Sequence, residues 1–290
     1  MAHPTTTLTS PFWLHGMLAA LFLSNTGTAL QLATQAWFVW EISQRPATVS
    51  LLGLVQATPL LGVPLFGGML ADRFPRRRLL LFTQSALTAT SALMGCLALV
   101  GLLSIPLTLV LSGVLASITA LDNPIRQVYL PGVVGTAERG RTVGLNALTY
   151  NAGAIAGPAA AGVLLPLVGV SWCFLLNAFS YVFVIAWLLM GPAAHPHPTQ
   201  DSHDDAFKRR SYVWHTSSVR TLLVLVAVVS LLGRSYPTVL PIVVSKTWGS
   251  GARTYGTLAA LPGIGAALAA VLVIWVLGQR ERKPYWWLGG

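Results

Sequence analysis

Residues 67–82 read GGMLADRFPRRRLLLF, and five of the seven positions from Asp72 to Arg78 are charged. Across the 290 residues only 9% are charged and 54% are hydrophobic, with a mean hydropathy of +0.67. A soluble domain carries about a quarter charged residues. Outward from the cluster the chain is apolar. Leu79 to Leu121 holds no Asp, Glu, Lys or Arg, and neither do Thr142 to Gln200 or Thr254 to Gln279. A helix needs about 20 apolar residues to cross the hydrocarbon layer. Each run meets that length, and the first two are long enough for a pair. Lipid offers backbone groups no partner, which leaves helices or a closed barrel. Barrel strands alternate apolar and polar side chains, and these runs do not. The chain therefore reads as an all-α polytopic membrane protein.

The formal charge of +10 does not imply nucleic acid, because the basic residues separate apolar runs instead of sharing a soluble face. They read as an orientation signal for insertion. Cys96 and Cys173 both sit inside apolar runs, so no disulfide framework and no metal site is expected. The start, MAHPTTTLTSPFW, has no basic region and no small-residue cleavage site, unlike a signal peptide. No cofactor is expected.

Spans are expected at 12–42, 47–71, 79–102, 105–125, 143–168, 171–191, 218–245 and 254–278. Turn residues mark the joints, among them Ser104-Ile105-Pro106 and Gly169-Val170-Ser171. The joints after even-numbered spans, with their helix ends, hold 14 Lys or Arg; the other joints hold 3, namely Arg45, Lys246 and Arg253. The even joints and the N-terminus are then cytoplasmic. Gly191 to Ser217 is the longest polar segment. Its His195, His197, His203, Asp201, Asp204 and Asp205 lack a metal-site frame, and a solvated linker is the simpler reading. Three units follow: a six-helix bundle at 1–191, a linker at 192–217 and a partial second bundle at 218–290. An internal repeat supports duplication. Gly53, Pro59 and Gly62 recur at the same spacing as Gly256, Pro262 and Gly265, each set after a span with Ser-x-x-Gly. Repeated bundles are a transporter architecture.

Gly68-Met-Leu-Ala-Asp72-Arg73-Phe-Pro-Arg76-Arg77-Arg78 resembles the cytoplasmic signature of the major facilitator superfamily, with Pro75 where the signature has Gly. "LDNPIRQVYLPGVV" and "FLLNAFSYVFV" resemble the bacterial branch that includes the enterobactin exporter and related multidrug efflux carriers. The resemblance covers nearly the whole chain. It implies a twelve-helix fold, of which this chain would supply the six-helix bundle and about two helices of the second, ending in what looks like a cut-off ninth span. It also implies a gate in which Asp72 pairs with an Arg at the cytoplasmic end of the fourth helix, where Arg126 stands one turn after Asp122. Gly68, Asp72, Arg73, Arg76, Arg77, Asp122 and Arg126 are the candidate gate. Arg77 and Arg78 read equally well as topology anchors, whereas an acid such as Asp72 adds nothing to that signal.

Gly153, Gly157, Pro158 and Gly162 resemble the family's antiporter signature, with Ala161 replacing its penultimate Gly. Tight helix packing alone would also use small residues at this spacing. In the first span Asn25, Thr28, Gln31 and Gln35 fall on one side of a helix, and Asn151 and Asn177 add amides in the fifth and sixth. Such residues face a bundle interior or water, through interhelical bonding or a substrate cavity. Arg234, inside the seventh span, either snorkels or joins that cavity. The resemblance implies a non-enzymatic, monomeric carrier of the bacterial inner membrane. It would export a drug- or siderophore-type small molecule by alternating access, with protons as coupling ion and Asp122 the best-placed acid. A non-transporting fragment and an uptake carrier of the same fold are the alternatives. An enzyme would need carboxylates, His or Cys clustered at membrane depth.

Overall fold

The computed structural model describes residues 11–63, 74–135, 138–191, 239–249 and 251–259, with the isolated positions Thr221, Leu225, Leu261, Ile264 and Gly265. The expected linker at 192–217, and Gly68, Asp72, Arg73 and Arg234, lie outside the described residues.

The described chain is helical and antiparallel. Helix α1 spans Pro11–Ser43, α2 Pro46–Ala57, α3 Arg76–Leu99 and α4 Ile105–Gly132. The helical run Arg139–Met190 breaks at Gly169, where φ is 81° and ψ 174°. That left-handed backbone is open to glycine and strained for other residues. The break gives α5 (139–168) and α6 (170–190). A further helix, α7, covers Val239–Trp248, and a helical run occupies 252–259. Arg76–Leu99, Ile105–Gly132 and Arg139–Met190 are long and apolar enough to cross a membrane.

Several boundaries differ from those expected, each for a local reason. The second span was expected at 47–71. The α-helix stops at Ala57 and tightens into a 3-10 turn at Thr58–Leu61. Pro59 lacks the N–H that the α ladder needs there. The fourth span, expected to end at 125, continues to Gly132 through Pro124 and Pro131. Helices inside a bundle tolerate proline because their surroundings re-satisfy the freed carbonyls. The third begins at Arg76, so the arginine triplet lies in its first turn. The α5–α6 turn falls at Gly169, as the turn residues indicated.

Helix α1 is the packing axis. Near its start, Trp13, Met17 and Leu21 meet Leu80 of α3, Ile125 and Tyr129 of α4, and Val184 and Leu188 of α6. Near its end, Val39 and Trp40 pack on Val49 and Leu52 of α2. Between these, Leu30 and Ala33 contact Ala161 and Leu165 of α5 and Leu240, Val244 and Tyr255. Large apolar side chains such as Phe82, Leu167 and Phe179 point outward. In water such a surface would be a liability; facing acyl chains it is the expected exterior of a multi-pass membrane protein.

Candidate functional site

The polar stripe of α1 reaches four other helices, α2, α3, α4 and α6. Thr28 Oγ1 lies 2.8 Å from the Tyr181 hydroxyl of α6. Gln31 Oε1 accepts from Ser91 of α3 at 2.9 Å and from Asn177 of α6 at 2.5 Å. Gln35 Oε1 accepts from Gln56 of α2 at 2.8 Å. The amide nitrogens of Gln31 and Gln35 both point at the Met94 sulfur, at 3.5 Å. Asn25 Oδ1 accepts from Arg126 Nη1 at 3.2 Å. Buried polar groups are costly unless paired, so a helix that carries one every turn is held at a fixed rotation against these four helices.

Asp122 and Arg126 form an ion pair one turn apart on α4, both buried. The second carboxylate oxygen accepts from Thr83 Oγ1 at 2.6 Å and from Gln84 Nε2 at 3.0 Å. The pair thus joins α4 to α3 through the acid and to α1 through the base. This changes the expected place of Arg126. Because α4 runs to Gly132, the guanidinium lies nearly two turns inside the helix and not at its end, and it is engaged by Asp122 and Asn25.

A cavity of about 380 Å³ follows α1. Asn25, Thr28, Gln31 and Gln35 line it together with Asn177, Asp122 and Arg126. The α1 positions from Asn25 to Ala36 extend it along about 16 Å of helix. Leucines from α1, α2, α3 and α4 complete the wall, so it is apolar with convergent polar groups, the usual character of a small-molecule site. Asn151 stands apart. It is exposed, donates back to the Ala147 carbonyl of its own helix at 2.8 Å, and does not line the cavity.

The glycines of α5 serve close approach. A Cβ on Gly153 would lie 2.8 Å from Thr26 N, and one on Gly157 2.6 Å from the Thr26 carbonyl oxygen. A Cβ on Gly162 would lie 2.7 Å from the Cα of Gly256. Two of the glycines therefore seat α5 on α1, and the third seats it on the run 252–259. Pro158, between them, faces the cavity.

The arginine triplet divides by side chain. Arg76 is buried and Arg78 exposed. Arg77 donates through Nε to the Leu188 carbonyl at 2.7 Å and through Nη2 to that of Leu189 at 2.5 Å. These carbonyls end α6, where the helix itself runs short of donors; that of Leu188 also accepts from the Gly191 N–H at 3.2 Å. A cation there also meets the negative end of the helix dipole.

Sequence reasoning did not single out Gln56, Thr83, Gln84, Ser91, Met94 or Tyr181. Thr83, Gln84, Ser91 and Met94 share α3, where Gln84, Ser91 and Met94 recur at helical spacing and could have been read as a polar face; Gln56 of α2 and Tyr181 of α6 carry no such signal.

A family profile described as transmembrane secretion effector matches residues 10–280. The Staphyloferrin A transporter of Staphylococcus aureus (strain NCTC 8325 / PS 47) is 26% identical over 262 residues. That alignment takes in 84% of this chain, which spans 63% of the relative's length. Among solved structures, a bacterial homolog of the human lysosomal transporter Spinster superposes with a TM-score of 0.65 at 17% identity, over 91% of this chain and 63% of the other. A D-xylose-proton symporter superposes with a TM-score of 0.64 at 18% identity, over 93% and 70%. The fold shared with both is that of major facilitator transporters.

Proposed function

This chain belongs to the transmembrane secretion effector family, of major facilitator type, and on that premise we propose that it exports a small organic molecule of siderophore or drug type by alternating access, in exchange for protons. One observation carries the reading: a cavity at membrane depth is walled by the α1 amide stripe and closed on one flank by the Asp122–Arg126 pair. Convergent amides and a guanidinium suit an oxygen-rich solute. The named substrate of the Staphyloferrin A transporter favours a siderophore-type molecule.

Among the described residues, Asp122 is the one carboxylate on the cavity wall. As a carboxylate it neutralises Arg126; protonated, it would leave the guanidinium unbalanced in a low-dielectric setting. That coupling of proton to charge is what an exchanger requires, and it makes Asp122 the coupling residue. The chain works as a monomer in a bacterial inner membrane, N-terminus inside, with 1–191 as first bundle, 192–217 as linker and 218–290 in the second. Gly68, Asp72 and Arg73 contribute to the cytoplasmic gate, and Arg234 to the cavity.

The test is transport by the full chain in membrane vesicles, with labelled staphyloferrin A as probe. Inside-out vesicles made acidic inside should accumulate the label, and Asp122→Asn should abolish the dependence on the pH gradient. Accumulation in right-side-out vesicles alone would establish uptake instead. No movement in either orientation would overturn the carrier reading of this chain.

A further inference from the structure

Two segments 222 residues apart meet at one end of the cavity. Tyr255 has 0% exposure, lines the cavity, and donates its hydroxyl to the Ala33 carbonyl of α1 at 3.3 Å. Inside a helix that carbonyl already accepts from the residue four positions on, so Tyr255 takes its second lone pair. The Tyr255 ring lies 5.6 Å from that of Trp37, one turn further along α1, at an angle of 32°. Beside it, Leu240 and Val244 of α7 pack into the cluster of Leu30 and Ala33. At the rim the Lys246 ammonium stands 5.7 Å from the centre of the Trp40 ring. The run that carries Tyr255 also reaches α5 where Gly162 meets Gly256.

These contacts differ in kind from those inside α1–α6. Within the six helices, a net of side-chain hydrogen bonds, one of them from the buried Arg126 guanidinium, holds α1 to α2, α3, α4 and α6. The contacts from α1–α6 to 239–259 include apolar packing, ring contacts and a long hydrogen bond to a carbonyl that is already satisfied. A molecule that opens and closes parts where re-pairing is least costly, because buried amides and a guanidinium pulled from their partners are left unsatisfied, while a separated ring and a hydroxyl taken from an already satisfied carbonyl leave little. The face that carries Lys246 and Arg45 is the one this seam covers. Arg76 to Arg78 lie at the opposite end of the helices.

We propose that Tyr255 is the gating residue of the cavity at the Arg45–Lys246 face, latching the segment 252–259 onto α1 at Ala33 and Trp37. The inference rests on the carrier reading above. Its contact with the cavity gives Tyr255 a double position, as wall when the seam is closed and as its moving edge when the seam parts. The small Gly162–Gly256 contact lets the two backbones close without a side chain between them.

The experiment reads access to the cavity separately from transport. Ala36→Cys, a cavity-lining position, is introduced into the full chain with Cys96→Ala and Cys173→Ala, and labelled with a membrane-impermeant maleimide from either side of oriented vesicles. Removing only the hydroxyl, Tyr255→Phe should raise the labelling rate about three- to tenfold from the Arg45–Lys246 face, the range one neutral hydrogen bond allows. Tyr255→Ala should raise it further. Neither should change the rate from the Arg76–Arg78 face, which separates a gate from general loosening. Unchanged rates in both variants, or an equal rise from both faces, would overturn the assignment. Probe flux is scored on the same vesicles. A one-sided rise supports the gate even where flux is absent and the carrier reading fails, and unchanged labelling overturns the gate even where flux persists.

Discussion

Asn177 of α6 donates to Gln31 of α1 at 2.5 Å, and the same Gln31 oxygen accepts from Ser91 of α3 at 2.9 Å. One amide at membrane depth thereby ties three helices. Interhelical hydrogen bonds in membranes contribute about 0.6 kcal/mol on average and about 1.7 at most. Asn177 also donates to the Tyr181 hydroxyl at 3.2 Å and accepts from Ser180 Oγ at 3.1 Å on its own helix, so Asn177→Ala removes one bond between helices and two within α6. It should cost about 1–2 kcal/mol in reversible detergent unfolding. Asn151→Ala, which loses a bond only to its own helix, should stay within about 0.5 kcal/mol.

Asp122 and Arg126 should behave as a unit. Removing one member of a buried pair strands the other, at about 3–5 kcal/mol. Asp122→Ala and Arg126→Ala should each fall in that range. Replacing both together, Asp122→Ala with Arg126→Ala, should cost less than the sum of those two single changes. Unfolding midpoints of the variants measure the coupling, and strict additivity would show that the two side chains act independently.

The α5 glycines predict opposite signs for one substitution. A Cβ on Gly157 would press on the Thr26 carbonyl oxygen, whereas one on Gly144 has nothing within 4 Å. Gly157→Ala should therefore destabilise by about 1–3 kcal/mol, as overpacking does. Gly144→Ala should stabilise by about 0.5–1 kcal/mol, since alanine loses less backbone freedom in a helix. Thermal unfolding of the purified chain distinguishes them.

Arg77→Gln should loosen the end of α6. The guanidinium serves two terminal carbonyls at once, and a cation at a helix C-terminus contributes about 0.3–2 kcal/mol. Hydrogen exchange of the last turn before Gly191 should rise accordingly. Arg77→Lys should recover the charge but not the two-carbonyl geometry, and Arg78→Gln should leave exchange unchanged.

The spans within 1–191 that the structure describes were legible because charge-free runs are a demand of the lipid and not of any one fold. The α3–α4 and α5–α6 joints were legible for the same reason: Ser104-Ile105-Pro106 and Gly169 supply backbone chemistry that an apolar helix otherwise avoids. The α1 stripe was legible as a period. Helix ends were not. The fourth span was expected to end at 125, yet α4 continues through Pro124 to Gly132, because the bundle compensates for the lost backbone bond. The error moved Arg126 from a helix end to the cavity wall. Two partners of the stripe were not legible either. Gln56 and Tyr181 acquire meaning only when three-dimensional packing sets them against Gln35 and Thr28.

Gly169 has a bearing on how the chain enters its membrane. One residue reverses the backbone between α5 and α6, and Thr142 to Gln200 carries no charge. An insertion machinery reading lysine and arginine therefore finds no marker at that turn and no loop to retain on its far side. The two helices must go in together, as a single hairpin, and take their orientation from Arg139 and Arg141 at its leading edge. The direction of a third of the six-helix bundle is thus decided before the hairpin itself is read.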